Sequence, residues 1–185
     1  MKSYLITDPK YFTNDIYKFR NRLNNTIQNN KIDFICFRDK SSENYKEIAK
    51  IFVEISKQSN ISNIFINNYI ELAYSLNVTG VHLTSNQFDK IAYAKSMKLK
   101  VIISTHNEED IKQAIKYNAD YITYSPIFDT PNKGKLKGIV ELKNVINKYK
   151  DIKIFALGGI ITEEHIISIK TTEVFGFASI RYFVK

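Results

Sequence analysis

Short runs of β-branched and aromatic residues recur along the chain at 4–6, 34–37, 64–66, 81–83, 101–103, 121–123, 154–157 and 174–177. Most are apolar at every position instead of alternating, the pattern of strands covered on both faces in a parallel sheet. Between them apolar residues fall at helical spacing: Ile16, Phe19, Leu23 and Ile27; Ile48, Ile51, Phe52 and Ile55; Ile111, Ala114 and Ile115; and Ile139, Leu142, Val145, Ile146 and Tyr149. Helix starts are predicted at Ser41 or Ser42, at Asn107 ahead of Glu108 and Glu109, and at Thr162 ahead of Glu163 and Glu164. Strand alternates with helix throughout, at about 23 residues per unit, which predicts a (β/α)8 TIM barrel with very short connections. The competing reading is a doubly wound open sheet, but Asp8-Pro9-Lys10 stands after the first strand where a glycine-rich dinucleotide loop belongs. About six residues follow the eighth strand, so the last helix is expected to be a single turn or missing.

Composition narrows this further. The chain has 185 residues, 44% hydrophobic and 25% charged, with six glycines and three prolines, which predicts one domain over residues 1–185 and no linker. Its longest apolar runs are about half a dozen residues, short of the roughly 20 that span a bilayer. The start, Met1-Lys2-Ser3-Tyr4, lacks a signal-peptide core, so a cytoplasmic location without membrane association is expected. A single cysteine, Cys36, excludes an intrachain disulfide and a multi-cysteine metal site. The net charge of +8 is compatible with nucleic acid, acidic lipid or phosphorylated small molecules. The lysines are dispersed among acids, as at Lys46-Glu47, without aromatic interleaving on one face, which argues against nucleic acid.

In a barrel, function gathers at the C-terminal ends of the strands. There the chain places Arg38 and Lys40; Asn67 and Asn68; Thr84 and Ser85; Ser104 and His106; Ser125, Thr130, Asn132 and Lys133; Gly158 and Gly159; and Ser179 and Arg181. Cations, hydroxyls and amides with few carboxylates favour a phosphorylated ligand. Arg38 offers a planar fork to phosphate oxygens, or else an ion pair with Asp39 or another acid. Gly158-Gly159 would admit a phosphate to the backbone, or is a simple turn. His82 reads as a core residue before a ligand. His106 is a helix-start residue or a proton carrier, His165 a surface residue, and Cys36 a small buried hydrophobe or a reactive thiol.

These residues resemble the thiamine phosphate synthase/TenI superfamily over essentially the whole chain. Tyr4-Leu5-Ile6-Thr7-Asp8 is similar to its first strand, Arg38-Asp39-Lys40 to its Arg-Glu-Lys motif, and Gly80-Val81-His82-Leu83 to its Gly-Val-His-Leu strand. Ser104-Thr105-His106 matches its Ser-Thr-His motif. Ala119-Asp120-Tyr121-Ile122 and the stretch Ser125-Pro126-Ile127-Phe128-Asp129-Thr130-Pro131-Asn132-Lys133 follow in order, then the Ala156-Leu157-Gly158-Gly159-Ile160 loop.

The resemblance implies that Arg38, Lys40, Asn67, Ser104 and Lys133 hold the diphosphate of hydroxymethylpyrimidine diphosphate. Thr130, Pro131, Asn132, Gly159 and the amides of Ala178 and Ser179 would hold thiazole phosphate. The family's two magnesium carboxylates fall on Asn68 and Gln87, and neutral amides supply no charge to that ion. Arg38, Lys40 and Lys133 are then cations left without those two acids. Leu83-Thr84-Ser85-Asn86-Gln87-Phe88 resembles the corresponding turn of the TenI branch, which aromatises a thiazole carboxylate phosphate tautomer without metal. That branch's proposed catalytic histidine corresponds to Pro126, which cannot transfer a proton. The expected protein is a TenI-like binder of thiazole phosphate, a tautomerase or non-catalytic, with His106, Cys36 and Lys133 as catalytic candidates and no cofactor. The alternatives are a thiamine phosphate synthase, with magnesium as cofactor and the pyrimidine diphosphate as second substrate, and a phosphate-ligand sensor. A homodimer is left open.

Overall fold

Successive positions of each apolar run go to opposite sides of one sheet, so a single strand feeds two cores. Leu5, Ile35, Phe37, Ile64, Ile66, Val81, Leu83, Val101, Ile103, Ile122, Ile154 and Ala156 pack outward under the helices. Tyr4, Ile6, Phe34, Cys36, Phe65, Ile102, Tyr121, Phe155 and Ala178 pack together in a second core. The computed structural model, which describes residues 1–40, 42–131 and 134–184, shows why there are two. Strands β1 (Lys2–Ile6), β2 (Phe34–Phe37), β3 (Asn63–Asn67), β4 (Gly80–Leu83), β5 (Lys100–Thr105), β6 (Tyr121–Tyr124), β7 (Lys153–Leu157) and β8 (Gly176–Ser179) close into a barrel in chain order, all parallel. The second core is its interior. Closure excludes the open sheet.

The interior is filled with aromatic rings, Phe34 and Phe155 meeting edge-on at 5.0 Å and Tyr4 and Phe155 tilted at 5.1 Å between centroids, while Phe34 and Phe65 stack at 6.0 Å. Two glycines make room for them. A Cβ on Gly80 would stand 2.9 Å from Phe65 Cε1 and 1.9 Å from the Lys100 carbonyl oxygen. One on Gly176 would stand 2.5 Å from Phe155 Cε1.

Helices α1 (Pro9–Phe12), α2 (Ile16–Gln28), α3 (Tyr45–Gln58), α4 (Ile70–Ser75), α5 (Ile91–Ser96), α6 (Glu108–Lys116), α7 (Gly138–Lys148) and α8 (Glu163–Lys170) lie around it. Asn107 and Thr162 cap α6 and α8 as their sequences predict, accepting from the amides of Asp110 and His165. The start of α3 differs. Asn44 precedes it without a side-chain cap bond, Ser42 is instead bonded to Asp39, and Ser41 lies outside the described residues. Four helices end alike: Asn60, Asn77, Lys98 and Asn118 take positive φ, and the next amide reaches back five residues, as Ile61 does to the Ser56 carbonyl at 3.0 Å. The following residue in each, Ile61, Val78, Leu99 or Ala119, packs into the outer core. Asparagine tolerates this conformation, so short returns to the sheet need few glycines.

The eighth strand starts two residues later than its apolar run suggests. Val174 is buried in the turn, and the Phe175 carbonyl accepts from the Lys2 amide at 2.8 Å as the strand begins. After β8 the described chain makes one 3-10 turn, Arg181–Phe183, in place of a last helix. Among the described residues no helix is long and apolar enough to cross a membrane.

Candidate functional site at the barrel mouth

Where β1 to β8 end, their side chains ring a cavity of about 620 Å³. Of the residues implicated from the sequence, Arg38, Lys40, Asn67, Ser104, His106, Thr130, Pro131, Gly159, Ala178 and Ser179 line it together. Asn132 and Lys133 lie outside the described residues. Cys36 is in the barrel interior, fully buried, and burial pushes its thiol up to about 12 despite the opposing effects of the nearby Tyr4 hydroxyl and the charge of Arg38. A thiol so buried stays protonated at neutral pH and packs as a small hydrophobe.

Arg38 follows β2 and is not a free cation. Its Nη1 donates to Asp8 Oδ2 at 2.5 Å, each side chain being about a quarter exposed at 25%. Asp8 is also the N-cap of α1, its Oδ1 accepting from the Lys10 amide at 3.1 Å. One carboxylate thus orients the guanidinium and anchors the short helix that brings Lys10 and Tyr11 to the cavity wall. Neither residue of α1 was singled out from the sequence, because a four-residue helix leaves no periodicity to read.

The opposite wall is the β7 loop. Gly158 and Gly159 both have positive φ, and the β6–α7 loop runs against them, Phe128 N donating to the Gly158 carbonyl at 3.0 Å. The Ser125–Pro126 peptide there is cis. Ser179 is committed internally: its hydroxyl donates to the Ile160 carbonyl at 2.7 Å and accepts from the Tyr182 amide at 3.2 Å. Arg181 at the start of the last turn also lines the mouth.

His106 stands exposed at the rim with Nδ1 3.2 Å from the Ser125 carbonyl oxygen. The Ser125 hydroxyl lies equally close to Nδ1, at 3.2 Å, so Nδ1 either donates to the carbonyl, leaving a lone pair on Nε2, or accepts from the hydroxyl, leaving the hydrogen on Nε2. His82 is both core and site. It is 4% exposed, yet its ring reaches the cavity floor between Tyr4 and Ser104. His165 is half-buried, stacked on Phe128 at 4.0 Å between ring centroids, instead of standing free on the surface.

A family model described as "Thiamine monophosphate synthase" matches residues 3–183. The chain belongs to this family. A thiamine-phosphate synthase of Halalkalibacterium halodurans is 33% identical over 70% of this chain and 64% of its own length. One of Proteus mirabilis is 29% identical over 69% of this chain and 61% of its own, so the chain spans under two thirds of either relative. One of Clostridium acetobutylicum is 30% identical over 97% of this chain and 85% of its own length. Among solved structures, a thiamine phosphate pyrophosphorylase of Pyrococcus furiosus superposes with a TM-score of 0.82 at 22% identity, covering 97% of this chain and 85% of that one, which shows a shared fold.

Synthases of this family use magnesium in catalysis, and the positions that the resemblance assigns to it were tested against the geometry. Gln87 Oε1 is already taken, accepting from the Thr84 amide at 3.0 Å, while the Thr84 hydroxyl, 2.9 Å away, lies nearer Asn86 Oδ1 at 2.5 Å. Asn68, at positive φ, buries an Oδ1 that has no partner among the described residues. One neutral oxygen beside a committed one does not make the anionic oxygen set this ion takes from proteins. No cluster of three or more His, Cys, Asp or Glu occurs among the described residues. The residues do not fit a magnesium site.

Proposed function

We propose that the mouth binds a phosphorylated thiazole without magnesium, in the manner of the TenI branch, either shifting a proton on the ring as a tautomerase or binding without catalysis. The observation that carries this reading is the pair Asn68 and Gln87, amides where the synthase chemistry asks for carboxylates, with the oxygen of Gln87 already spent on Thr84. Thiazole phosphate would lie against Thr130, Pro131 and Gly159. The side of Arg38, Lys40 and Ser104 would take further anionic oxygens through charge-assisted hydrogen bonds. Tautomerisation asks only for a proton to be taken from one ring atom and returned at another. His106, at the rim, would be the carrier, because its Nε2 makes no hydrogen bond among the described residues and can take up or release a proton. Pro126, which also lines the mouth, stands where the branch's own histidine is expected and has no such capacity.

A second reading, a thiamine phosphate synthase, is favoured by the names of the relatives, among them one matching 97% of the chain. It joins thiazole phosphate to the pyrimidine diphosphate with loss of diphosphate. One experiment separates the two. The protein is given both substrates and magnesium, and thiamine phosphate is sought. None is expected from the native chain, while the unaromatised thiazole tautomer should be converted faster than without protein, and His106→Gln should abolish that gain. Turnover to thiamine phosphate sinks the metal-free reading. Neither reaction, with micromolar binding of thiazole phosphate, leaves a binder. Synthase activity in Asn68→Asp with Gln87→Asp, absent from the native chain, would locate the defect at the metal positions.

A further inference from the structure

Within the aromatic barrel interior a hydrogen-bonded line of polar groups climbs from the middle to the mouth. Tyr4 OH lies 2.8 Å from His82 Nδ1, and His82 Nε2 lies 3.2 Å from Ser104 Oγ. Tyr4 is fully buried among Phe34, Phe65 and Phe155, while Ser104 faces the cavity. The imidazole therefore joins the sealed interior to the ligand space.

The ring between them is neutral at physiological pH. Burial, and after it the charge of Arg38, brings His82 down to about 3. A neutral imidazole has one N–H, so one nitrogen donates and the other accepts, and the choice fixes both hydroxyls. Burial also raises the Tyr4 phenol well above its ordinary value, so it keeps its hydrogen and must place it. Two acceptors are within reach, the imidazole nitrogen and the Cys36 sulfur. The nitrogen is much the stronger acceptor, and the thiol directs its own weak hydrogen to the Phe37 carbonyl at 3.6 Å. With Tyr4 donating to Nδ1, the ring hydrogen sits on Nε2 and is donated to Ser104 Oγ. Ser104 has no other hydrogen-bond partner among the described residues. Its own hydrogen is then free to turn into the cavity.

We propose that Tyr4 and His82 are positioning residues that lock the imidazole tautomer and so preset the Ser104 hydroxyl as a hydrogen-bond donor to an anionic oxygen of the ligand. This rests on the reading of the mouth as a phosphate site. The reverse chain, running from Ser104 through His82 and Tyr4 to Cys36, would spend the serine hydrogen inside the protein and offer a ligand only an acceptor. The polarity of the chain thus decides whether the floor of the mouth receives phosphoryl oxygens or repels them. A hydroxyl that already accepts from an N–H is also a better donor, because successive bonds polarise one another.

The tautomer is read directly by nitrogen NMR on protein labelled with 15N-histidine. The chain has three histidines, and His106→Gln and His165→Gln assign the remaining one. The expected result is a protonated Nε2 and a bare Nδ1 on His82, unchanged between pH 5 and pH 8 (about the range over which free histidine titrates). A protonated Nδ1 overturns the proposal, and this needs no substitution at Tyr4, His82 or Ser104. The second arm is a double-mutant cycle on the affinity for inorganic diphosphate, measured by calorimetry without magnesium. Ser104→Ala should weaken binding by about tenfold or more, the loss of a bond to a charged group. Tyr4→Phe should weaken it roughly threefold to tenfold in the native background and have no effect in the Ser104→Ala background. Additive losses overturn the proposal, since Tyr4 would then act other than through Ser104. If the native chain does not bind diphosphate at all, the phosphate reading of the mouth falls, while the NMR result still decides the tautomer.

Discussion

Gly159→Ala probes whether the wall of the mouth depends on two loops being in backbone contact. At φ +69 the glycine has a conformation that costs an alanine about 1 kcal/mol. Its missing Cβ would also stand 2.5 Å from the Asp129 carbonyl oxygen and 2.7 Å from the Phe128 carbonyl carbon. Ordinary contact begins near 3.4 Å, so the β6–α7 loop has to retreat by roughly 0.7–0.9 Å. It is not free to do so. Ile127 N donates to the Leu157 carbonyl at 2.9 Å and Phe128 N to the Gly158 carbonyl at 3.0 Å. Losing one of these bonds adds about 1 kcal/mol, and crowding about 1 more, for a total near 3 kcal/mol. Gly138 separates the two contributions. Its φ is +74, but nothing lies within 4 Å of its missing Cβ, so Gly138→Ala should cost the conformational part alone, about 1 kcal/mol. Gly134 has neither constraint, and Gly134→Ala should be neutral or slightly stabilising. Urea unfolding of the three variants reads the differences as shifts in midpoint at constant slope. The same retreat displaces Thr130 and Pro131, so thiazole phosphate affinity should fall in Gly159→Ala and be kept in Gly138→Ala. Equal destabilisation by Gly159→Ala and Gly138→Ala would refute the backbone contact.

Because His82 is held at about 3, chiefly by burial, the folded chain leaves unbound below pH 6.5 a proton that the unfolded chain takes up. Stability should therefore fall on acidification from about pH 6.5 towards pH 3, by about 1.4 kcal/mol per pH unit from this group; urea midpoints between pH 7 and pH 4.5 should show a shallower slope in His82→Gln, and an unchanged slope would exclude the effect. Gly176→Ala should cost about 1–3 kcal/mol through the clash with Phe155, and Phe155→Leu in the same chain should recover part of that loss; a neutral Gly176→Ala would show that the aromatic interior has slack.

Much of this molecule is legible in its sequence because each strand is buried on both sides, which writes the barrel as eight apolar runs that need no register to be recognised. The strand-end residues were legible for the same reason: once the runs are placed, Arg38, Ser104 and Gly159 fall at their ends. What was not legible depends on distances between strands or on very short elements. The Asp8–Arg38 pair bridges the ends of neighbouring strands β1 and β2, and only the closed sheet brings those two loops together. Tyr4, His82 and Ser104 come from β1, β4 and β5, and meet only across the barrel interior, so the sequence showed His82 as an isolated core histidine. The helix returns at Asn60, Asn77, Lys98 and Asn118 escaped notice because the usual glycine is absent there and its conformation is carried by residues that also occur in helices and loops.

The Asp8–Arg38 pair also changes the electrostatic account of the mouth. The sequence suggested a cationic site stripped of its metal-binding acids, with Arg38 either facing phosphate oxygens or paired with Asp39 or another acid. Arg38 has the Asp8 carboxylate on Nη1, and the pair is partly exposed, so its contribution to stability is small, up to about 1 kcal/mol. Its effect is on direction. A guanidinium has five N–H donors, and fixing one on Asp8 orients the remaining ones relative to the capped helix α1. A ligand phosphate then meets a preset fork and pays less to order it, but gains less from net charge because the acid repels it. The amides Asn68 and Gln87 fit the same design. They add no negative charge beside a guanidinium that already has its acid, and on the proposed reading a site selecting oxygens by hydrogen-bond direction, from Arg38 and Ser104, would need no metal to collect them.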